Sequence, residues 1–153
     1  MPRSDLRGGA VLIEYLDFGR GLSLSKDSNS ARFHLQGGGL TIAAAGIELE
    51  DQGTVTQDTN KTTGATLSTM SGVVTMNNAQ LNDDAAAAHQ ITNTLVVAAD
   101  VVLVCQASGN TASAYTLTVD GVNAGSFDVS LRNHSGGNLS EAVVYNFVVI
   151  KAS

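Results

Sequence analysis

Charge is what this sequence has least of. Asp, Glu, Lys and Arg make up 14% of its 153 residues, against about 25% in an ordinary globular chain. That shortage argues against an acidic disordered segment and against a basic nucleic-acid binder. Tryptophan is absent and aromatics reach only 5%, which weakens any carbohydrate platform or base-stacking surface. A single cysteine, Cys105, excludes an intrachain disulfide. Within Val101-Val102-Leu103-Val104-Cys105 it is expected as a small buried hydrophobe. No apolar run approaches the roughly 18 residues of a membrane-crossing helix. The opening MPRSDLRGG has no apolar core of a secretory leader, so none is expected.

Small uncharged residues fill the gap: 14 Thr, 14 Ser, 11 Asn and 16 Gly beside 43% hydrophobic residues. A chain of this length buries roughly 68–70% of its unfolded surface and folds without a metal or a disulfide. The composition fits a folded β-rich body with little charge to keep it soluble alone, much of whose surface faces other protein. Net charge is −6 and uneven. Five of the eight basic residues, Arg3, Arg7, Arg20, Lys26 and Arg32, lie in the first 32 residues beside four acids. The other 121 residues hold three basic and ten acidic groups, or −7. Such a body repels nucleic acid, because phosphate contacts need Lys and Arg. The five basic residues are candidate contacts to an acidic protein surface.

Strands are expected at Val73 to Met76, Ile91 to Val97, Asp100 to Gln106, Ala114 to Val119, Gly125 to Asn133 and Ala142 to Ile150, all rich in Val, Thr, Phe and Tyr. Asn77-Asn78, Ser108-Gly109-Asn110, Asp120-Gly121 and Asn133 to Asn138 read as the turns between them. Spacing near ten residues is the rhythm of a sandwich or barrel. The fold class expected is all-β, an antiparallel, jelly-roll-like β-sandwich spanning residues 53–153, with an extended N-terminal arm of short strands over residues 1–52. Tyr115, Leu117 and Val119, like Phe127, Val129 and Leu131, alternate with polar residues, as half-buried strands do. Val143 to Ile150 and Asp100 to Cys105 are apolar on both faces instead. Such a strand needs cover on both sides. Either the N-terminal third or a neighbouring subunit supplies it, and the subunit is favoured because an open patch invites aggregation. Val144, Tyr145, Phe147, Val148 and Ile150 are therefore candidates for a subunit interface or core. Asn78 to Gln90, with Ala85 to Ala88 at its centre, reads as a short helical turn or loop.

Catalytic and metal-binding patterns are missing. His34, His89 and His134 stand alone in sequence, with no Cys, Asp or Glu at ligand spacing. Asp83-Asp84 reads as solvated loop acids, and Glu48, Glu50 and Asp51 as exposed strand positions rather than paired glycosidase carboxylates. No phosphate-cradling glycine motif or serine elbow occurs. Three N-x-[ST] sequons, at Asn60, Asn133 and Asn138, reflect the abundance of Asn, Ser and Thr. Neither a catalytic residue, a cofactor nor a metal is expected.

Gly53-Thr-Val-Thr-Gln57, Lys61-Thr-Thr-Gly64 and Ser71-Gly-Val-Val-Thr-Met76 are followed by Asp100-Val-Val-Leu-Val104, Ala124-Gly-Ser-Phe127, Leu131-Arg-Asn133 and Glu141 to Lys151. This order, over roughly residues 53–151, resembles β-sandwich structural proteins of tailed-bacteriophage virions, whether head-decoration (cement) or tail-fibre-associated modules. The resemblance implies a homotrimer, no enzyme activity, and a place on the virion after synthesis in the host bacterial cytoplasm. With no long shaft or large receptor-binding head, the chain suits a capsid decoration protein whose partner is the major capsid protein. The alternative is a tail-fibre or receptor- and glycan-binding virion module.

Overall fold

The computed structural model describes residues 51–152. These form eight strands: β1 Gln52–Thr56, β2 Ala65–Thr66, β3 Ser71–Thr75, β4 Ala86–Thr92, β5 Val101–Ser108, β6 Tyr115–Asn123, β7 Ser126–Asn133 and β8 Val144–Ile150. They make two four-stranded sheets, in the orders β1-β3-β8-β5 and β2-β4-β7-β6. The fold is an all-β sandwich without a helix among the described residues. The central pairings are antiparallel, but β1 with β3 and β2 with β4 run parallel, so both sheets are mixed.

Period two places the core. From one sheet Val74, Val102, Tyr145, Phe147 and Val149 point inward, and from the other Ala87, Ile91, Phe127, Val129 and Leu131 meet them, all buried. The Phe127 and Phe147 rings lie 5.1 Å apart at a tilt of 56°, the offset geometry that aromatic pairs prefer. In β1 and β3, Gly53 stands directly opposite Gly72. A Cβ at Gly72 would sit 2.7 Å from both the Leu67 Cδ2 and Phe147 Cε1 atoms. The two glycines thus open the slot that Leu67 and Phe147 fill.

Four sequence expectations are corrected. The Ala85 to Ala88 stretch is no helical turn: seven residues of β4 pair with β7 in continuous register. Alanine's helix preference yields to the strand alternation of Ala87, His89 and Ile91, all buried. The strand expected to run on to Val97 ends at Thr92, because Asn93 is fully buried and turns the chain. Its side-chain amide donates to the Thr69 carbonyl at 2.8 Å and its Oδ1 accepts from the Leu95 amide. Asp120-Gly121 does not reverse the chain. It lies at an irregularity within β6, and the reversal comes at Ala124-Gly125, where Gly125 takes φ 84°. Cys105, expected buried, is exposed, because Val102 and Val104 take the inward positions of its strand. β1 and β2 were not among the strands expected, and β1 starts at Gln52, one residue inside the boundary drawn for the arm. The remaining arm positions, 1–50, lie outside the described residues.

Buried polar groups close the sandwich. Lys61, 3% exposed, donates through Nζ to the carbonyls of Asn77 and Glu141. Gln57 donates to the Thr63 carbonyl at 2.7 Å and accepts from the Asn77 amide. Asn133, fully buried, donates to the carbonyls of Leu81 and Gly137, so its sequon is a structural position.

Because an added methyl at Gly72 meets two packed side chains, Gly72→Ala should lower stability by about 1–3 kcal/mol, as overpacking does. Chemical denaturation with a shifted midpoint and unchanged slope checks it.

Candidate functional site

The same alternation that fills the interior dictates what the outer faces carry. On the second sheet the outer face is polar and charged. Gln90 donates to Asp128 at 3.2 Å, Asp120 accepts from Thr118 and Ser130, and Arg132 pairs with Asp84 at 2.5 Å. The Asp84 carboxyl is held below its usual range, chiefly by that hydrogen bond.

The outer face of the first sheet is unlike it. By register, β1 contributes Gln52, Thr54 and Thr56, and β3 contributes Ser71, Val73 and Thr75. β8 adds Val144, Asn146, Val148 and Ile150, and β5 adds Val101, Leu103 and Cys105. No Asp, Glu, Lys or Arg stands among them. Polarity is graded across the sheet, with hydroxyls on the β1 edge and aliphatic side chains on the β5 edge. Val101, Leu103 and Ile150 are 50%, 52% and 51% exposed, values that mark apolar surface left open to water. Where Leu103 meets Cys105, Asn146 and Val148 lies a shallow hollow of about 290 Å³, with Val104 and Phe147 completing its lining. Of the expected interface or core residues, Tyr145 and Phe147 are core, Val144 and Val148 are half-buried on this outer face, and Ile150 is open there. Val101, Leu103 and Cys105 were not singled out individually from the sequence. The two-sided apolar pattern of their segment carried the signal. Arg3, Arg7, Arg20, Lys26 and Arg32, like His34, Glu48 and Glu50, lie outside the described residues.

Titratable groups do not gather at this face. His89 and Tyr145 share a hydrogen bond of 2.6 Å inside the core, linking the two sheets. Burial pulls the imidazole down to about 4 and pushes the phenol up. The other imidazole nitrogen, Nδ1, is buried with no hydrogen-bond partner among the described residues. Glu141 accepts from the amide and hydroxyl of Thr111, which hold its carboxyl below the ordinary range. Asp100 takes Lys151 at 2.5 Å and the amides of Val97 and Ala152, and the Lys151 hydrogen bond leads in lowering its pKa. Each is a tie between chain segments. Among the described residues no three His, Cys, Asp or Glu side chains converge as a metal site would require.

An unfolded imidazole takes its proton near pH 6.5, whereas His89 in the fold does so only at about 4. Between these values the unfolded chain binds more protons. Stability is therefore whole above pH 6.5 and falls towards pH 4, by about 3 kcal/mol from this group. Denaturant midpoints measured against pH should show that fall, and His89→Gln should remove its share of the slope.

No family model, curated protein or solved structure matches the chain.

Proposed function

We propose that this protein is a non-enzymatic structural component of a bacteriophage virion. In this reading it is a homotrimer that decorates the outer capsid shell and stabilises the head. One observation carries the assembly part: a whole sheet face without a charged residue, aliphatic and open along one edge. A face of this kind carries no ion to pair with phosphate, and its aliphatic edge loses little on being covered by protein. The order of short motifs between Gly53 and Lys151 supports the virion setting.

In this reading the trimer is the unit and the major capsid protein its partner. Arg3, Arg7, Arg20, Lys26 and Arg32 supply the positive charge for an acidic shell surface, while the rest of the chain carries −7. Packaged DNA presses outward on the shell. Many copies of a modest contact resist that pressure together, because each trimer binds through several linked points at high effective concentration.

Light scattering of the purified full chain should give the mass of three copies, and a monomer at high concentration would contradict the reading. Deleting residues 1–32 should abolish attachment to shells while leaving the trimer intact. Decoration at full occupancy by the deleted form would remove the anchoring role of those residues.

A further inference from the structure

His89 stands where the alternation of β4 calls for an aliphatic side chain. Ala87 and Ile91, two residues to either side, are buried in the core, and His89 is only 4% exposed. Its Nε2 meets the Tyr145 hydroxyl at 2.6 Å, with the two rings tilted by 49° and 5.7 Å apart. The bond joins an inner strand of one sheet to an inner strand of the other. Nδ1 of the same ring is buried with no partner among the described residues. An unpaired buried polar atom costs stability that a leucine in its place would keep, so the histidine needs a reason.

Bonding capacity decides which nitrogen of the neutral ring holds the proton. With the proton on Nε2, two groups go unmet, the Tyr145 hydroxyl hydrogen and the Nδ1 lone pair. With Tyr145 donating to Nε2, only the Nδ1–H goes unmet. The neutral ring therefore keeps its proton on Nδ1. The one nitrogen left to take a second proton is Nε2, which holds the other sheet. We infer that His89 is an acid-operated latch: a proton added at Nε2 ends the bond that Tyr145 donates and parts the two sheets along β4 and β8, while the strand pairings within each sheet persist. The new N–H can use the Tyr145 oxygen only by stranding the phenolic hydrogen, and the charged Nδ1–H stays unpaired in either case. No carboxylate compensates. By register, Val129 of β7 and Val119 of β6 lie beside His89, while Val74 of β3 and Gln106 of β5 lie beside Tyr145. Asp128, the one charged group that acts on the ring, sits on the outer face of its sheet, bonded to Gln90. Burial keeps the imidazole neutral down to about pH 4, against a partial pull from Asp128, so the latch is shut at neutrality. An unpaired cation between the sheets is relieved by water entering the gap. The backbone ladders carry no titratable group, so strands outlast packing, as in acid states that keep secondary structure and lose side-chain order. The latch acts within one subunit and is independent of how subunits meet.

The test uses the full chain. Nitrogen chemical shifts of the His89 ring at neutral pH should place its proton on Nδ1. As pH is lowered through about 4, the near-ultraviolet circular dichroism of the buried tyrosines should vanish while the far-ultraviolet strand signal stays. Return to neutrality should restore the packing. His89→Gln and His89→Leu should hold the near-ultraviolet signal to about one pH unit lower or further, and either variant suffices where the other does not fold. If neither folds, the tautomer and the two wild-type signals decide. A neutral ring protonated on Nε2 overturns the latch, as does a wild type that keeps its near-ultraviolet signal well below pH 4. Joint loss of the near- and far-ultraviolet signals overturns it as well, because the whole sandwich then unfolds. Variants that open at the wild-type pH overturn it in favour of Asp84, Asp100 and Glu141, whose ties between segments need ionised carboxylates.

Discussion

The contact between Phe147 of β8 and Phe127 of β7 fixes everything else. Both rings are buried between the sheets, and each belongs to a strand whose neighbours two residues away are also buried. Side chains alternate along a strand, so a slip of one residue would turn this whole set outward. Once Phe147 faces in, Tyr145 and Val149 must follow it. Val144, Asn146, Val148 and Ile150 are then committed to the outside. The apolar outer face is thus a geometric consequence of the core, written on the same strand. Gly53 and Gly72 belong to this constraint, since their missing side chains make room for Phe147 and Leu67.

The two outer faces then diverge by composition. On the second sheet, outward positions are filled by hydroxyls, carboxylates and Arg132, which hydrogen-bond one another and remain hydrated. On the first they carry no ion, and Val101 and Leu103 make the β5 edge aliphatic up to Cys105. An edge strand of this sort is a template for association unless it is covered. The ionic ties of the sandwich, Lys61 with two carbonyls and Asp100 with Lys151, join loops at the ends of strands and leave that face clear. The shortage of charge in the whole sequence is thus most complete on the outer face of the first sheet.

How much of this could be read from the chain varied with the kind of signal. Strands that alternate over several residues, such as Tyr115 to Val119 and Phe127 to Leu131, were legible because one buried face imprints period two on the sequence. The two-sided pattern of Val143 to Ile150 was legible for the same reason and pointed to the outer face. β4 was not, since its three alanines, preceded by Ala85, carry almost no periodic contrast and their helix preference dominates a local reading; only pairing with β7 decides it. The parallel pairings of β1 with β3 and of β2 with β4 are long-range choices that no local pattern states. Cys105 was assigned to the interior from residue type and from an apolar run, and neither records which way an odd position points. The His89–Tyr145 bond joins residues 56 apart and had no sequence signature.

The proposed assembly places a like subunit, rather than water, over the aliphatic edge of the first sheet. Hydroxyl-radical footprinting of the intact protein reads this one side chain at a time. The account requires Leu103, Cys105 and Ile150 to oxidise far more slowly than their exposure in the single chain implies, and to become as labile as other open aliphatic side chains when the assembly is diluted apart. Oxidation of all three at the open rate, at concentrations where the protein is fully assembled, would contradict it.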